Sequence, residues 1–289
     1  MLDCLRASEI KAAVAEKNDV DIDIVIHQTI DSTNSWSLQQ CKSGKSLPFV
    51  CFAEEQTQGR GRRGKQWLMS VQSNIAMSIS WPFALSHMQL SRLPLSVAMS
   101  IVETLESFGL KHVQVKWPND VFVQGKKIAG ILIETQSMVN KTVVDKAVTD
   151  KVTDKQVAVV IGIGLNFKMP AHKVKTSQNG LDVYSEITDV NREMKAQGVE
   201  SNINRTMLAK KLLVNVIHMV QRYKLDPGHY LAKFRTQYDY CKEKDVEVIL
   251  DDKTVLSGVA QGVTDDAELL VNVDGKERIF NSAEISVKL

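Results

Sequence analysis

The hydrophobic positions along the chain change period several times, and each change marks an element. In SRLPLSVAMSIVETLESFG, residues 91 to 109, Leu93, Val97, Ile101, Leu105 and Phe108 recur every three or four residues. That spacing lines one stripe of an α-helix. Pro94 suits its first turn and Gly109 its C-terminal cap. RTMLAKKLLVNVIHMVQRY, residues 205 to 223, is a second strong helix, with Leu208, Leu212, Val216 and Val220 on its buried face and Pro227-Gly228 as its stop. SEIKAAVAEK reads as a short helix capped by Ser8 with Glu9 in its first turn. Asp31 and Ser32 can cap another, running to about Gln40.

Elsewhere the pattern is that of strands. IDIVIHQTI is β-branched and partly alternating from about Ile22 to Ile30. PFVCFAEE, NIAMSISW, HVQVKW, DVFV and KKIAGILIE follow, and VAVVIGIGLNF is apolar on both faces, which predicts a central position in a sheet. NKTVVDKAVTDKVTDK repeats V-[TV]-D-K three times and reads as a solvated, extended hairpin tip. After about Lys242 the texture turns to short strands, VEVIL, KTVLSGVAQGV, AELLVNV, ERIF and EISVKL, with turns at Asp251-Asp252, Asp265-Asp266 and Asp274-Gly275. This predicts a small all-β, barrel-like module, with a domain boundary near residue 240.

Length and composition narrow the function classes. A chain of 289 residues holds one large or two ordinary domains. The apolar share of 44% and charged share of 24% suit a soluble globular protein. A net charge of +2 argues against a dedicated nucleic-acid binder, so any cationic site must be local. Cys4, Cys41, Cys51 and Cys241 form no C-x-x-C pair and read as reduced thiols. The six histidines are scattered without metal-ligand spacing, so no metal site is expected from protein side chains. No apolar run approaches the ~18 residues that span a bilayer. The N-terminus lacks a basic-then-apolar signal pattern. These features predict a cytoplasmic protein with no membrane partner.

One stretch concentrates chemistry. GRGRRGKQW, residues 59 to 67, packs four cations and three glycines into nine positions. Gly59, Gly61 and Gly64 satisfy G-x-G-x-x-G. No helical period follows, and no acid stands near position 80, so this is not a dinucleotide fingerprint. Lys65 precedes Gln66 rather than Ser or Thr, so it is not a P-loop either. The reading that remains is a mobile clamp, loose when empty and ordered when full. Its glycines let backbone wrap a ligand. Arg60, Arg62, Arg63 and Lys65 can meet carboxylate or phosphate oxygens, and Trp67 offers a flat face to a base. KWPND at 116 to 120, with Lys127 and Gly130 across a hairpin, sets Lys116, Asn119, Asp120 and Lys127 among Val, Ile and Phe. By residues alone, that second cluster is either part of the same site or a solvated turn.

Together these stretches resemble the biotin–protein ligases. The match lies in IDSTN at 30 to 34, EEQTQGRGRRGKQW at 54 to 67, VKWPNDVFVQGKKIAGIL at 115 to 132 and GIGLNF at 162 to 167, in order and spacing, and it covers the chain from about residue 22 to the end. The resemblance implies an α+β fold. Residues 1 to 240 would form a mixed-sheet catalytic domain of the class II aminoacyl-tRNA synthetase and biotin ligase type, and 241 to 289 a small SH3-like β-barrel. It also implies a two-step reaction. Biotin and Mg-ATP give biotinyl-5′-AMP, and a lysine of a biotin carboxyl carrier domain of acetyl-CoA carboxylase then takes the biotin.

Carried over residue by residue, the resemblance implies the following roles. Lys127 sits between carboxylate and α-phosphate, Arg60 and Arg62 join it from the clamp, and Asp120 orients or deprotonates the incoming amine. Ser32, Thr33, Asn34 and Gln56 meet the ureido ring, with Gly59, Gly130 and Gly162 as backbone walls. Trp67 stacks on adenine, with Lys65, Lys116, Asn119 and Asn166 near the nucleotide. Lys288 stands where relatives often carry Arg, keeping the charge but losing the planar fork. Mg²⁺ bridges phosphate oxygens. A homodimer through the edge of the main sheet is also implied. Only about 21 residues precede the first strand, short of a helix-turn-helix domain, so no specific DNA binding is expected. Two alternatives stay open: a lipoate–protein ligase, whose ligand would not need ureido partners, and a nucleic-acid-binding regulator using the basic loop.

Overall fold

The computed structural model describes residues 3–69, 71–83, 90–137, 157–169, 177–178, 181–182, 187–200, 202–282 and 285–288. The V-[TV]-D-K repeat lies outside the described residues. Seven strands form one mixed sheet: β1 Asp23–Ile30, β2 Phe49–Gln56, β3 Asn74–Phe83, β4 Val113–Lys116, β5 Asp120–Val123, β6 Lys126–Ser137 and β7 Val157–Asn166. Their order is β1-β2-β3-β7-β6-β5-β4, which puts β7 at the centre as its composition predicts. β1 runs parallel to β2 and every other pair is antiparallel. The parallel pair needs a crossover, and helix α2, Thr33–Lys42, supplies it.

The two faces of this sheet differ. On β3 the side chains of Ile75, Met77, Ile79, Trp81 and Phe83 alternate with those of Ala76, Ser78 and Ser80. On β7, Val159, Ile161, Ile163 and Leu165 alternate with Ala158, Val160, Gly162 and Gly164. The bulky set joins one continuous core with helices α1 (Ala7–Lys17), α3 (Leu93–Ser107) and α5 (Arg205–Tyr223). So β7 is not equally apolar on both sides. Its second face is built of small residues, and α2 covers only part of it, through Trp36, Leu38 and Cys41 against Phe49 and Val160.

The helices obey local rules, with two differences. In α3, Pro94 stands in the first turn and Gly109 takes a φ of +90° just past the end. Asn204 caps α5, its side chain accepting from the Met207 N–H at 2.9 Å. α1 begins at Ala7 with Arg6 at its N-cap and no side-chain cap. The Ile10 N–H already bonds the Arg6 carbonyl, so Ser8 lies inside the helix instead of capping it. α5 ends at Tyr223, short of Pro227, and a five-residue helix, His229–Lys233, follows that proline. That helix and α4 (Val190–Ala196) are too short to show a period in sequence.

Two-residue strands β8 (Ser177–Gln178) and β9 (Leu181–Asp182) pair with each other. The C-terminal strands β10 (Asp245–Leu250), β11 (Val255–Val263), β12 (Leu269–Val273), β13 (Lys276–Phe280) and β14 (Ile285–Lys288) form a five-stranded antiparallel sheet in the order β13-β12-β11-β10-β14, consistent with the SH3-like module expected. Its inner side chains, among them Val246, Val248 and Ala260, continue the main core. Trp117 of KWPND is buried at the join and donates its indole N–H to the Ala267 carbonyl at 2.8 Å. The Trp117–Pro118 peptide is cis.

Candidate active site

The site lies on the small-residue face, beneath and beside the first turn of α2. Directly opposed residues share a face, so the register reads out its rows. One row runs Ala53, Ala76, Gly164, Gly130, Asp120, Lys116. The next runs Cys51, Ser78, Gly162, Leu132. Three adjacent glycines make a flat floor, and the neighbours use the room. A Cβ at Gly164 would stand 2.3 Å from the Trp67 ring, and one at Gly130 3.0 Å from it. A Cβ at Gly162 would stand 2.1 Å from Asn34 Oδ1.

One end of the floor is polar and mostly neutral. Ser32 is the N-cap of α2 and turns the first turn of that helix toward the sheet. Thr33 donates both its N–H (2.8 Å) and its hydroxyl (3.1 Å) to Gln56 Oε1. Ser78 Oγ lies 2.7 Å from Thr33 Oγ1 and 2.6 Å from Asn34 Oδ1. Asn34 donates its amide to the Leu132 carbonyl at 3.2 Å and to Glu134 at 3.0 Å. Ser32, Thr33, Asn34 and Ser78 are all buried. This is a surface of hydroxyls and amides on rigid elements, suited to a neutral group carrying both donors and acceptors.

The other end is cationic. Lys127 pairs with Asp120 at 2.7 Å, each side chain 25% exposed, and its Nζ lies 5.7 Å from the Trp67 ring centroid. Lys116 and Lys65 form no ion pair among the described residues. Burial pushes the ammonium of Lys65 below its ordinary pKa, and repulsion from Lys127 and Lys288 adds to this against the pull of Asp120. Burial does the same to Lys116, opposed by Cys241 and Asp120. Burial also lowers Arg62, and Asp120 counters it. Half-buried Lys116 and exposed Lys65, neither held by a carboxylate among the described residues, favour an anion arriving from solution.

The clamp that crosses this floor is a compact hairpin rather than an open strap. Arg60 bridges Gln66, Trp67 N–H bonds the Gly59 carbonyl at 2.9 Å, and a 3₁₀ turn at Arg62–Gly64 closes the tip. A Cβ at Gly59 would strike the Trp67 carbonyl, so the neck of the hairpin requires glycine. Arg60 grips Glu134 with both terminal nitrogens, at 2.8 and 3.1 Å. Arg62 reaches Asn119 Oδ1 at 3.4 Å and the Ser282 carbonyl, and Arg63 pairs with Asp251. Asn119 is itself held by the Ile131 carbonyl at 2.6 Å. The Trp67 indole N–H meets no acceptor among the described residues.

The structure thus brings together Ser32, Thr33, Asn34, Gln56, Gly59, Arg60, Arg62, Lys65, Trp67, Lys116, Asn119, Asp120, Lys127, Gly130 and Gly162. Lys288 is exposed on β14 and close enough to repel Lys65. Asn166 stands otherwise. It is buried, accepts from Asn74 at 3.1 Å and donates to the Thr188 carbonyl at 3.0 Å, so both ends of its amide are engaged. Sequence reading missed Ser78, Glu134 and Gly164. Gly164 was legible in GIG, where the second glycine shares a face with the first. The other two appear only once the strands are in register.

Residues 25–149 match the Biotin/lipoate A/B protein ligase family, and residues 243–288 match the Biotin protein ligase C terminal domain. The chain is 28% identical over 268 residues to the Bifunctional ligase/repressor BirA of Salmonella typhimurium, covering 92% of this chain and 74% of that protein. It is 25% identical over 267 residues to the Biotin--[acetyl-CoA-carboxylase] ligase of Mycobacterium tuberculosis, covering 90% and 87%. The fold is similar to that of a biotin protein ligase from Aquifex aeolicus in complex with biotin and ATP, with a TM-score of 0.69 at 20% identity over 92% of this chain and 98% of that one.

Proposed function

The chain belongs to the biotin/lipoate A/B protein ligase family and carries the biotin protein ligase C terminal domain; on that premise we propose that it is a biotin–protein ligase, which activates biotin as biotinyl-5′-AMP and transfers it to a lysine of a biotin carboxyl carrier domain. One observation carries this reading: a glycine floor with neutral hydroxyls and amides at one end and unpaired lysines at the other. Biotin has a neutral ureido ring and, at the far end of its chain, a carboxylate. The hydroxyls and amides around Thr33, which bond one another in the ligand-free protein, can exchange hydrogen bonds with a ureido ring, whereas the dithiolane of lipoate offers only weak acceptors there.

In the first step a carboxylate oxygen of biotin attacks the α-phosphorus of ATP. The bond to the bridging oxygen breaks and pyrophosphate leaves. The nucleophile is already an anion, so the obstacle is bringing it against a polyphosphate. Lys127, Arg62, Lys65 and Lys116 lower that barrier by preorganised positive charge. Mg²⁺ arrives with the nucleotide as part of the substrate, on its phosphate oxygens. Trp67, lying on Gly130 and Gly164 under Lys127, forms a wall of the nucleotide site, and its free N–H is a donor for the ligand.

In the second step the neutral carrier amine attacks the acyl carbon, the bond to the phosphate oxygen breaks, AMP leaves, and the nitrogen gives up one proton and keeps the other as the amide N–H. Asp120 faces this point beside Lys127 and serves to orient or deprotonate the amine. The clamp shields the anhydride from water meanwhile. The outer edge of β1, unpaired among the described residues, supports pairing of two copies through the main sheet.

The test is ATP-dependent transfer of labelled biotin to a carrier domain, run beside an Arg62→Gly variant and a lipoate control. Transfer by the wild type, with a variant that makes the adenylate but leaks it, is expected. Transfer of lipoate and not biotin would refute the biotin assignment.

A further inference from the structure

We propose that Glu134 is a positioning residue that ties the clamp to the sheet and couples it to the neutral end of the floor, an inference that rests on the reading above for what the coupling does but not for the tie itself. Glu134 lies on β6 two and four residues beyond Leu132 and Gly130, on the same face. Its carboxylate takes three hydrogen bonds. Two come from the Arg60 fork in the clamp, and one from the amide of Asn34 at the first turn of α2. Among the described residues this is the one ion pair between the clamp and the seven-stranded sheet, since Arg63 goes to Asp251 of the C-terminal sheet.

The other atoms of Asn34 extend the chain of contacts. Its Oδ1 meets Ser78, Ser78 meets Thr33, and Thr33 meets Gln56. A ring that binds among these groups and draws on the Asn34 amide is therefore felt at Glu134, and through it at Arg60. Only a carboxylate does this well. A planar guanidinium needs two parallel acceptors. Glutamine keeps one acceptor oxygen, which can still meet Asn34 and one Arg60 nitrogen as Oε2 does, but it loses the acceptor for the second Arg60 nitrogen and the charge, so the fork is no longer held at both prongs. Aspartate is one methylene too short to reach both. Arg60 is 43% exposed and Glu134 22%, so the pair adds little to overall stability. Its effect falls on the clamp.

The experiment uses Glu134→Gln and Glu134→Asp, with two readouts. The first is limited trypsin cleavage at Arg62 and Arg63 in protein without ligand. Cleavage about five-fold faster in both variants, at an unchanged melting temperature, is expected for loss of a bidentate pair of this exposure. The second is protection of the same bonds by biotin. Biotin slows cleavage of the wild type, and in Glu134→Gln it binds with at most a small rise in KM yet protects far less, while adenylate escapes faster and kcat for transfer falls. Unchanged cleavage of ligand-free Glu134→Gln overturns the tie, whatever the substrate. A lowered melting temperature in both variants overturns it too, by making Glu134 a structural residue. Faster ligand-free cleavage with no biotin protection of the wild type would uphold the tie and overturn the biotin reading instead.

Discussion

Gly162→Ala isolates the point where fold and ligand site share one atom's worth of space. The added methyl would meet Asn34 Oδ1 at 2.1 Å, Cγ at 2.8 Å and Nδ2 at 3.0 Å, over an ångström inside normal contact for the oxygen. Asn34 is buried and cannot swing to solvent. To clear the methyl it must give up Ser78 and the Leu132 carbonyl, worth about 1 kcal/mol each, and the charged Glu134, worth about 1.5–3 kcal/mol. Alanine returns about 0.5–1 kcal/mol of backbone entropy that glycine loses in a strand. The net expectation is a loss of about 2.5–4.5 kcal/mol, with biotin affinity down by tenfold or more. Urea unfolding followed by circular dichroism gives the first quantity and calorimetric titration the second. The decisive comparison is a double-mutant cycle. Asn34→Ala removes the same bonds, so adding Gly162→Ala to it should cost little, for a coupling of about 2 kcal/mol or more. Additive losses, or a Gly162→Ala protein as stable as wild type, would refute the packing argument.

The pair Arg205–Glu54 is buried at 0% and 1% side-chain exposure with a 2.5 Å contact, and Glu54 also accepts the Leu5 N–H at 2.6 Å. Glu54→Gln should therefore lower stability by about 3–5 kcal/mol and expose the Leu5 amide to hydrogen exchange, whereas Asp251→Asn, at an exposed pair, should change stability by less than about 1 kcal/mol; equal effects would contradict both. Lys65 and Lys116 are held below the ordinary lysine value of 10.5 in the folded protein. ATP affinity should weaken as pH rises through their lowered values toward 10.5, and Lys65→Met should flatten that slope. Stability should move the opposite way in the same window, because there the unfolded chain binds more protons than the fold. Nucleotide titrations that stay level across it would remove these lysines from the anion site.

What the sequence determined by itself is the set of elements and the place of the chemistry. The helices Leu93–Ser107 and Arg205–Tyr223, the central strand Val157–Asn166 and the change of texture after Lys242 were all legible, because helix and strand periods depend on residues a few positions apart. The cations of GRGRRGK, Lys116 of KWPND and Lys127 across its hairpin were legible for the same reason. Register was not. Ser78, Gly162 and Leu132 share a row, and Glu134 meets Arg60 across 74 residues and Asn34 across 100. Nothing in a local window records which strand will lie beside which. Even Val157–Asn166 read as apolar on both faces until the helices buried Ile161 and Ile163 and left Gly162 and Gly164 as a floor. That choice belongs to the packing of whole elements: a one-residue slip would turn every side chain to the other face, and only the assembled core decides which face is which.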